Sequence, residues 1–360
     1  MGNLSKTFGK LTIPLLVLLT ISFSVNTAAA LDGSGTQEDP WRIESLVDFN
    51  EFAADANYWS GFTRLETDVN LAGFTYATAL IAPDIDSSNF YFQGTPFTGV
   101  FDGNDHKIIN LTIDDDGAGN DYLGLFGCID GGEVRNLRLD VVSVSGDDYI
   151  GGLVGQNYHH GSVSNCYSTG DVNGFDDVGG LVGINENGIV LHCYSTGSVS
   201  GIQNVGGLVG GNVGNISNCY STADASSEDN VGGLVGENGL WGNGIVSNCY
   251  STGSVSGTGN LVGGLVGYNN FWGIVLNSFW DEQTSGQLVS DGGTGLPTVE
   301  MQTQSTFNDA GWDFVEIWLI NEGATYPVLR REIRSDLNGD GRVDFADFAL
   351  FADHWLEGVE

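Results

Sequence analysis

The densest group of metal-ligating residues lies near the C-terminus, between Asp336 and Asp347. Oxygen-bearing residues recur there at alternate positions of a twelve-residue segment, as Ca²⁺ loops require, and Gly341 stands at the sixth position, where such loops turn sharply. The predicted ligands are the side chains of Asp336, Asn338, Asp340, Asp344 and Asp347 and the backbone carbonyl of Arg342. Carboxylates this close repel one another until a cation joins them. We therefore expect Ca²⁺ as the cofactor and Ca²⁺-dependent folding of this segment.

A helix is predicted directly after the loop. Phe348, Phe351, Ala352 and Trp355 recur at helical spacing. A calcium loop followed by one such helix resembles a single repeat of a dockerin, which is an EF-hand-like module. A full dockerin has two repeats and this chain has one. The resemblance therefore implies Ca²⁺ binding more strongly than it implies a cohesin-like partner.

The elements before this module repeat. A Gly-Leu-hydrophobic-Gly marker begins at Gly124, Gly152, Gly180, Gly207, Gly233 and Gly264, at spacings of 28, 28, 27, 26 and 31 residues. A fixed period indicates stacked repeats. Each unit holds short Val/Ile/Leu/Tyr pieces separated by turn residues, and its length fits one coil of a parallel β-helix better than a propeller blade of roughly 40 residues. We predict an all-β, right-handed parallel β-helix with N- and C-terminal caps and the small EF-hand-like module.

Two sets of residues should form ladders along the helix axis, since equivalent positions of successive coils lie about 4.8 Å apart. The inward leucines are Leu125, Leu153, Leu181, Leu208, Leu234 and Leu265. The second set comprises Asn157, Asn185, Asn212, Asn238 and Asn269. We expect these asparagines at a turn, where Asn tolerates left-handed backbone and stacked amides bond to one another.

Four cysteines share one position of the repeat. They are Cys166, Cys193, Cys219 and Cys249, and Cys128 lies outside this ladder. In a parallel stack their side chains point the same way, which favours buried, reduced thiols over disulfides. One or two disulfides, or a metal site, remain as alternatives.

Acidic residues precede several markers, notably Asp148, Asp176 and Asp229. Carboxylates about one coil apart repel one another. They either extend into solvent or bind a hard cation such as Ca²⁺, or glycan hydroxyls.

Aromatic residues follow the asparagine ladder in three coils, namely Tyr158, Trp241, and Phe271 with Trp272. Aromatic side chains along one edge stack well on sugar rings, and solenoids commonly bind along an extended face. Packing of these side chains against a cap or a neighbouring loop is the alternative.

The N-terminus has the pattern of a secretory signal. Lys6 and Lys10 precede an apolar stretch over 11–23 and small residues at 28–30. We expect export after cleavage, with no integral membrane span left. The formal net charge of −35 over 360 residues argues against nucleic acid or anionic membrane as a partner.

These patterns divide the chain into five parts. They are a signal peptide (1–30), an N-terminal cap with a short helix begun at Ser45 (31–96), the β-helix (97–281), a C-terminal cap and hinge with a helix from Thr298 toward Asn308 (282–334), and the dockerin-like repeat (335–360).

The repeats resemble those of bacterial GLUG-repeat proteins. The resemblance is carried by Phe97-Thr98-Gly99-Val100-Phe101-Asp102-Gly103-Asn104, by the Gly-Leu-Val-Gly markers and by Asn-Cys-Tyr-Ser-Thr-Gly segments such as the one begun at Asn165. It implies a secreted or cell-surface, adhesin-like β-helix that brings no catalytic residues of its own.

The leading functional hypothesis is a non-catalytic protein that binds an extracellular glycan or a surface protein. A polysaccharide lyase or glycoside hydrolase is the main alternative, and a scaffold subunit docked through the tail is another. Lyases generally need a basic side chain as proton acceptor, and no Lys or Arg occurs between Arg138 and Arg330.

Overall fold

The computed structural model describes residues 30–330 except Phe90 and Trp241. The predicted signal segment and the predicted calcium loop with its helix therefore lie outside the described residues. Among the helices that are described, none combines the length and the apolar composition needed to cross a membrane.

Four parallel sheets run along the molecule, and each coil passes through them in a fixed order. We number the sheets 1 to 4 in the order in which a coil meets them. Sheet 1 contains Asp148–Gly151, Asp176–Gly179, Val205–Gly206, Val231–Gly232 and Val262–Gly263. Sheet 2 contains Phe126–Asp130, Val154–Tyr158, Val182–Glu186, Val209–Asn212, Val235–Asn238 and Val266–Asn269.

Sheets 3 and 4 complete each coil. Sheet 3 contains Trp41–Ile43, Phe62–Leu65, Val100–Asp102, Glu133–Arg135, Ser162–Ser164, Ile189–Leu191, Asn215–Ser217, Ile245–Ser247 and Ile274–Leu276. Sheet 4 contains Val69–Asn70, Lys107–Ile109, Thr112–Asp114, Arg138–Ser145, Tyr167–Asn173, Tyr194–Ser200, Tyr220–Ser221, Asp224–Ser227, Tyr250–Ser251, Val255–Gly257, Phe279–Asp281 and Thr294–Leu296. The parallel β-helix predicted from the period is thus confirmed.

Equivalent residues of successive coils are paired in register, as the alignment of markers requires. Val154, for example, pairs with Val182, which pairs with Val209. The six marker leucines are all completely buried in the axial core. Because each coil contributes the same apolar positions, the core is a continuous column of Leu, Val and Ile side chains.

The asparagine ladder forms, but at a different kind of position than expected. Side-chain amides donate to the next carbonyl oxygen at 2.8 Å from Asn157 to Asn185 and at 2.9 Å from Asn185 to Asn212. These side chains are buried at strand ends, with ordinary strand backbone. The residue before each ladder cysteine does have left-handed backbone, namely Asn165, His192, Asn218 and Asn248. The expectation of left-handed backbone at the ladder itself is therefore wrong.

The cysteine ladder points inward, and all five cysteines are buried free thiols. The thiols of Cys193, Cys219 and Cys249 each accept a hydrogen bond from the cysteine backbone N–H of the coil before, at 3.4 Å from Cys166 to Cys193 Sγ. Burial raises the pKa of the Cys166 and Cys219 thiols. The reduced state was the leading expectation, and the structure pairs none of these five thiols in a disulfide.

The N-terminal segment joins the coils without a break. Trp41–Ile43 pairs in parallel with Phe62–Leu65, and both strands belong to sheet 3. Between them lies the helix Leu46–Ala54, capped by Ser45 as predicted, followed by a 3-10 turn over Ala56–Tyr58. This helix buries Phe49 and Phe52 against the first coil, so it covers the end of the apolar column.

The C-terminal segment packs on the last coils. The single helix expected from Thr298 is two helices, Thr298–Met301 and Gln304–Asp309, preceded by another at Glu282–Ser285. Strands Trp318–Leu319 and Val328–Leu329 then form an antiparallel pair. Met301, Phe307, Trp312 and Trp318 form an apolar cluster that contacts sheet 4.

Candidate functional site

An acidic row occupies the start of sheet 1. Asp148 and Asp176 are register partners on adjacent parallel strands, as the alignment predicted. Asp121 belongs to the turn before this row and accepts a hydrogen bond from the backbone N–H of Asp148 at 3.1 Å. Carboxylate oxygens of Asp121, Asp147 and Asp148 all lie within 4.8 Å of one another. Three oxygen donors at such spacing are ligands of the type that Ca²⁺ accepts.

These carboxyl groups are half-buried rather than freely solvated. Burial, then the neighbouring charges of Asp121 and Asp147, raise the pKa of Asp148 to about 7. Burial is also the largest cause that raises the pKa of Asp121 to about 6. The pKa of Asp176 is raised by burial as well. The sequence has no Lys or Arg between Arg138 and Arg330 to offset the repulsion between these carboxylates. The repulsion is relieved when a carboxyl group is protonated or when the carboxylates bind a cation.

A second acidic group lies two coils further on. Glu237 pairs with Gly211 across sheet 2 and is only 5% exposed, and its burial raises its pKa to about 7. The carboxylate of Asp177 lies over Gly211, because a Cβ at this glycine would come within 2.5 Å of Asp177 Oδ1. Burial, then Asp176 and Glu237, raise the pKa of Asp177. Glu237 was not predicted as a site residue.

The third acidic residue predicted for the row does not join it. Asp229 is exposed and precedes the short strand Val231–Gly232 instead of lying within it. Its backbone N–H donates to Ile202 O at 3.0 Å and to Ser227 Oγ at 3.2 Å. The structure therefore brings together Asp148 and Asp176, and leaves Asp229 at the surface.

The predicted aromatic residues lie at one corner, between sheets 2 and 3. Phe271 is 87% exposed and Trp272 is 56% exposed, and their rings contact each other edge to face at 5.0 Å. Tyr158 lies at the same corner four coils earlier, or about 19 Å away along the axis, and stacks on His159. Trp241 lies outside the described residues.

A stack of tyrosines on sheet 4 is the third feature, and it was not predicted as a site. Tyr167, Tyr194, Tyr220 and Tyr250 stack ring on ring at 4.7, 4.8 and 5.0 Å. The tyrosine stack could have been predicted from the repeated Asn-Cys-Tyr-Ser segments, because identical residues at one repeat position of a β-helix lie above one another. The C-terminal cluster covers the Tyr250 end of the stack.

A groove of about 420 Å³ opens beside the other end of the tyrosine stack. Its walls come from sheet 4 and from the C-terminal segment near Arg330, and they include the side of the stack at Tyr167 and Tyr194. The groove combines aromatic and charged side chains in one place. The metal ligands predicted in the tail, from Asp336 to Asp347, lie outside the described residues.

Comparison with known sequences identifies the repeat. The model of the GLUG motif matches residues 146–173, 177–200, 201–226 and 228–256. The chain is 37% identical over 161 residues to halomucin from Haloquadratum walsbyi, which is 42% of this chain. It is 53% identical over 55 residues, 15% of its length, to a candidate Gly-rich membrane protein from Evansella cellulosilytica. These matches span only 2% and 6% of the two relatives.

A solved structure shares the fold. The crystal structure of a candidate immunoglobulin A1 protease from Bacteroides ovatus superposes with a TM-score of 0.65 over 83% of this chain and 94% of that chain. At 22% identity this likeness shows the fold alone. Each matched GLUG segment corresponds to about one coil of the present structure. Stacked GLUG motifs therefore form the central coils of this parallel β-helix.

Proposed function

We propose that this protein is an exported, non-catalytic β-helix that binds extracellular glycans or surface proteins. The single observation that carries the proposal is the aromatic corner of Phe271 and Trp272. Among the described residues, the C-terminal segment packs on the tyrosine stack and not on this corner, and both rings are exposed, so neither a cap nor a neighbouring loop covers them there. Large flat side chains held at a surface are the usual means of stacking on sugar rings.

The export part of the proposal rests on sequence. Residues 1–30 have the order of a signal peptide. One of the relatives is described as a candidate Gly-rich membrane protein. Both observations favour a protein that acts outside the cytoplasm, secreted or held at the cell surface.

The tail adds a second binding role. We propose that Asp336, Asn338, Asp340, Arg342, Asp344 and Asp347 bind one Ca²⁺ ion. A cohesin-like partner that binds the Ca²⁺-loaded tail would make the protein a scaffold subunit. A pull-down on the immobilised full chain that recovers a partner with Ca²⁺ and loses it with chelator tests that role.

The main test is a glycan array probed with the full chain, with and without Ca²⁺. We expect retention on a subset of glycans, and loss of about tenfold or more in affinity for Trp272→Ala, since a stacked aromatic ring contributes a large part of such contacts. Phe175→Ala removes an exposed aromatic side chain elsewhere and is the matched control. Retention of every glycan by Trp272→Ala would refute the role of the corner.

A hydrolase is the second candidate, because two neighbouring carboxyls have raised pKa values. Asp148, with a pKa of about 7, would be the general acid, and Asp176 one coil away would be its partner carboxylate. Glycosidases use such pairs, with one carboxyl kept protonated near neutral pH. Release of reducing ends from polysaccharide by the full chain, abolished in Asp148→Asn, would favour this candidate over the non-catalytic one.

A further inference from the structure

We propose that the groove beside Tyr167 binds a sugar that carries a carboxylate, at the end of an otherwise neutral glycan. This inference rests on the proposed glycan-binding function and names a second site with its own ligand chemistry. The groove has about 420 Å³, a volume suited to one or two sugar rings.

The charge of the groove is unusual for this protein. The structure describes Lys and Arg side chains at six positions, and four of them make ion pairs: Arg42, Arg64, Lys107 and Arg135. The other two, Arg138 and Arg330, have no ion-pair partner among the described residues, and both line the groove. In a chain of net charge −35, two such arginines place two positive charges at one concave site, beside the carboxylates of Asp105 and Glu316.

The orientation of Arg330 supports the same ligand. Its Nη2 donates to the backbone oxygen of Phe314 at 2.7 Å, which fixes the guanidinium against the C-terminal segment. Its Nε is buried and has no hydrogen-bond partner within the described part of the chain. A carboxylate in the groove would therefore contact the part of the Arg330 guanidinium that is not buried.

The tyrosine stack supplies the aromatic wall. Tyr167 is its first ring, and it lies 4.7 Å from Tyr194 at an interplanar angle of 24°. Arg138 occupies the same register one coil earlier, so a cation and an aromatic ring stand next to each other at the start of the stack. With Arg138 one coil before Tyr167, a sugar ring could pack against the tyrosine rings while its carboxylate contacts Arg138.

Polar groups suited to sugar hydroxyls complete the lining. Asp105, Glu316 and Asn165 all line the groove. The carboxylate of Glu316 can accept hydrogen bonds from sugar hydroxyls. A polyuronate would place further carboxylates near these acids and near the acidic surface, so repulsion limits the ligand to one acidic sugar. The chemistry therefore points to a terminal uronic acid.

The experiment compares two sugars that differ in one group. Methyl β-glucuronide and methyl β-glucoside have the same ring, and only the first carries a carboxylate. We expect saturation-transfer NMR and titration with the full chain to show glucuronide binding with a dissociation constant on the order of 1 mM, and glucoside binding at least about tenfold weaker. Equal affinity for the two sugars, or binding of neither, would overturn the proposal.

Variants assign the binding to the groove. Arg138→Gln should weaken glucuronide binding by about tenfold or more, and Arg138→Lys should restore part of it, because Lys keeps the charge and loses the two-pronged contact. Arg64→Gln removes the same charge outside the groove and should change nothing. Unchanged binding by a folded Arg138→Gln would also overturn the proposal.

A further variant separates this site from the aromatic corner. Trp272→Ala should leave glucuronide binding intact, because Trp272 lies outside the groove. The effect of Trp272→Ala on glycan-array binding tests the proposed function and not the groove. If Trp272→Ala abolishes glucuronide binding while Arg138→Gln retains it, the acidic sugar binds at the corner, and the groove is not its site.

Discussion

Asp148 and Asp176 are register partners on neighbouring parallel strands, and the sequence has no Lys or Arg between Arg138 and Arg330 to neutralise them. Glu237, nearly buried on sheet 2, adds to the same negative region. The coils thus hold carboxyl groups whose pKa values are raised in the folded state. This has a direct consequence for stability.

The stability of the coils should fall as pH rises. A carboxyl whose folded pKa is raised binds more protons when folded than when unfolded, so the free energy of unfolding decreases as pH passes from the unfolded value, about 4, to the folded one. Because Asp121 has a pKa of about 6 and Asp148 and Glu237 of about 7, we expect thermal melts to show most of the loss by neutral pH.

Glu237→Gln isolates one contribution to this effect. It should raise the free energy of unfolding at pH above about 7.5, by up to about 3 kcal/mol, and should have little effect near pH 4. Glu228→Gln, an exposed residue on a nearby turn, is the matched control and should have no such effect. Melting temperatures that rise with pH, or equal behaviour of the two variants, would contradict this account.

The asparagine ladder should contribute strongly to stability. Asn212 accepts from Asn185 and donates to Asn238 at 2.8 Å, and its Oδ1 also accepts from the backbone N–H of Gly214. Asn212→Ala leaves several buried partners unsatisfied, so we expect a loss of about 2 to 4 kcal/mol in the free energy of unfolding. Asn215→Ala, at an exposed strand position, should cost less than about 0.5 kcal/mol.

Denaturant unfolding of the two asparagine variants gives the comparison. Equal unfolding midpoints for Asn212→Ala and Asn215→Ala would contradict this prediction. They would mean that the ladder hydrogen bonds contribute no more free energy than the hydrogen bonds to water that they replace. Since stability in a solenoid is carried between neighbouring coils, the loss in Asn212→Ala should also reduce the cooperativity of the transition.

The ladders were predictable from the sequence because a repeat fixes which residues stack. Leu153, Leu181 and Leu208 share a repeat position, and the pairing of each strand with its equivalent follows from that alone. The same reasoning would have found the tyrosine stack. It assigned left-handed backbone to the wrong asparagines, because a ladder and a turn both favour Asn and only geometry separates them.

The environment of Glu237 was not predictable in this way. Its register partners are Gly211 and Tyr268, so this repeat position has no constant residue type, and nothing in the pattern indicates burial. The groove depends on the path of the C-terminal segment, which is fixed by single contacts such as the 2.6 Å hydrogen bond from Tyr250 Oη to Pro327 O. Such contacts between a repeat and a non-repeating segment leave no periodic signal.

The thiols should be inert in the native state. Reaction with disulfide reagents needs an accessible thiolate, and all five thiols are buried. Burial also raises the pKa of Cys128 to about 12 and raises the pKa of Cys166. We expect no labelling of the folded protein by Ellman's reagent and labelling of all five thiols in denaturant without reductant. A count in denaturant that is lower by two or four and is restored by reductant would demonstrate disulfides instead.

The proposed Ca²⁺ loop makes the last prediction. The four carboxylates of the twelve-residue loop need a cation to overcome their repulsion, so Ca²⁺ binding should be coupled to folding of residues 336–356. Calorimetric titration of the full chain should give one Ca²⁺ site that is lost in Asp340→Ala. Chelator should expose the tail to proteolysis and leave the melting of the coils unchanged, because the coils contain none of the predicted loop ligands.

Two controls separate this loop from the other acidic residues. Asp353→Ala removes a carboxylate beyond the loop and should keep the Ca²⁺ heat. Asp148→Asn removes one member of the acidic group formed with Asp121 and Asp147 and should also keep it. Retention of the heat in Asp340→Ala together with its loss in Asp148→Asn would place the cation on the coils, where carboxylate oxygens of Asp121, Asp147 and Asp148 lie within 4.8 Å of one another.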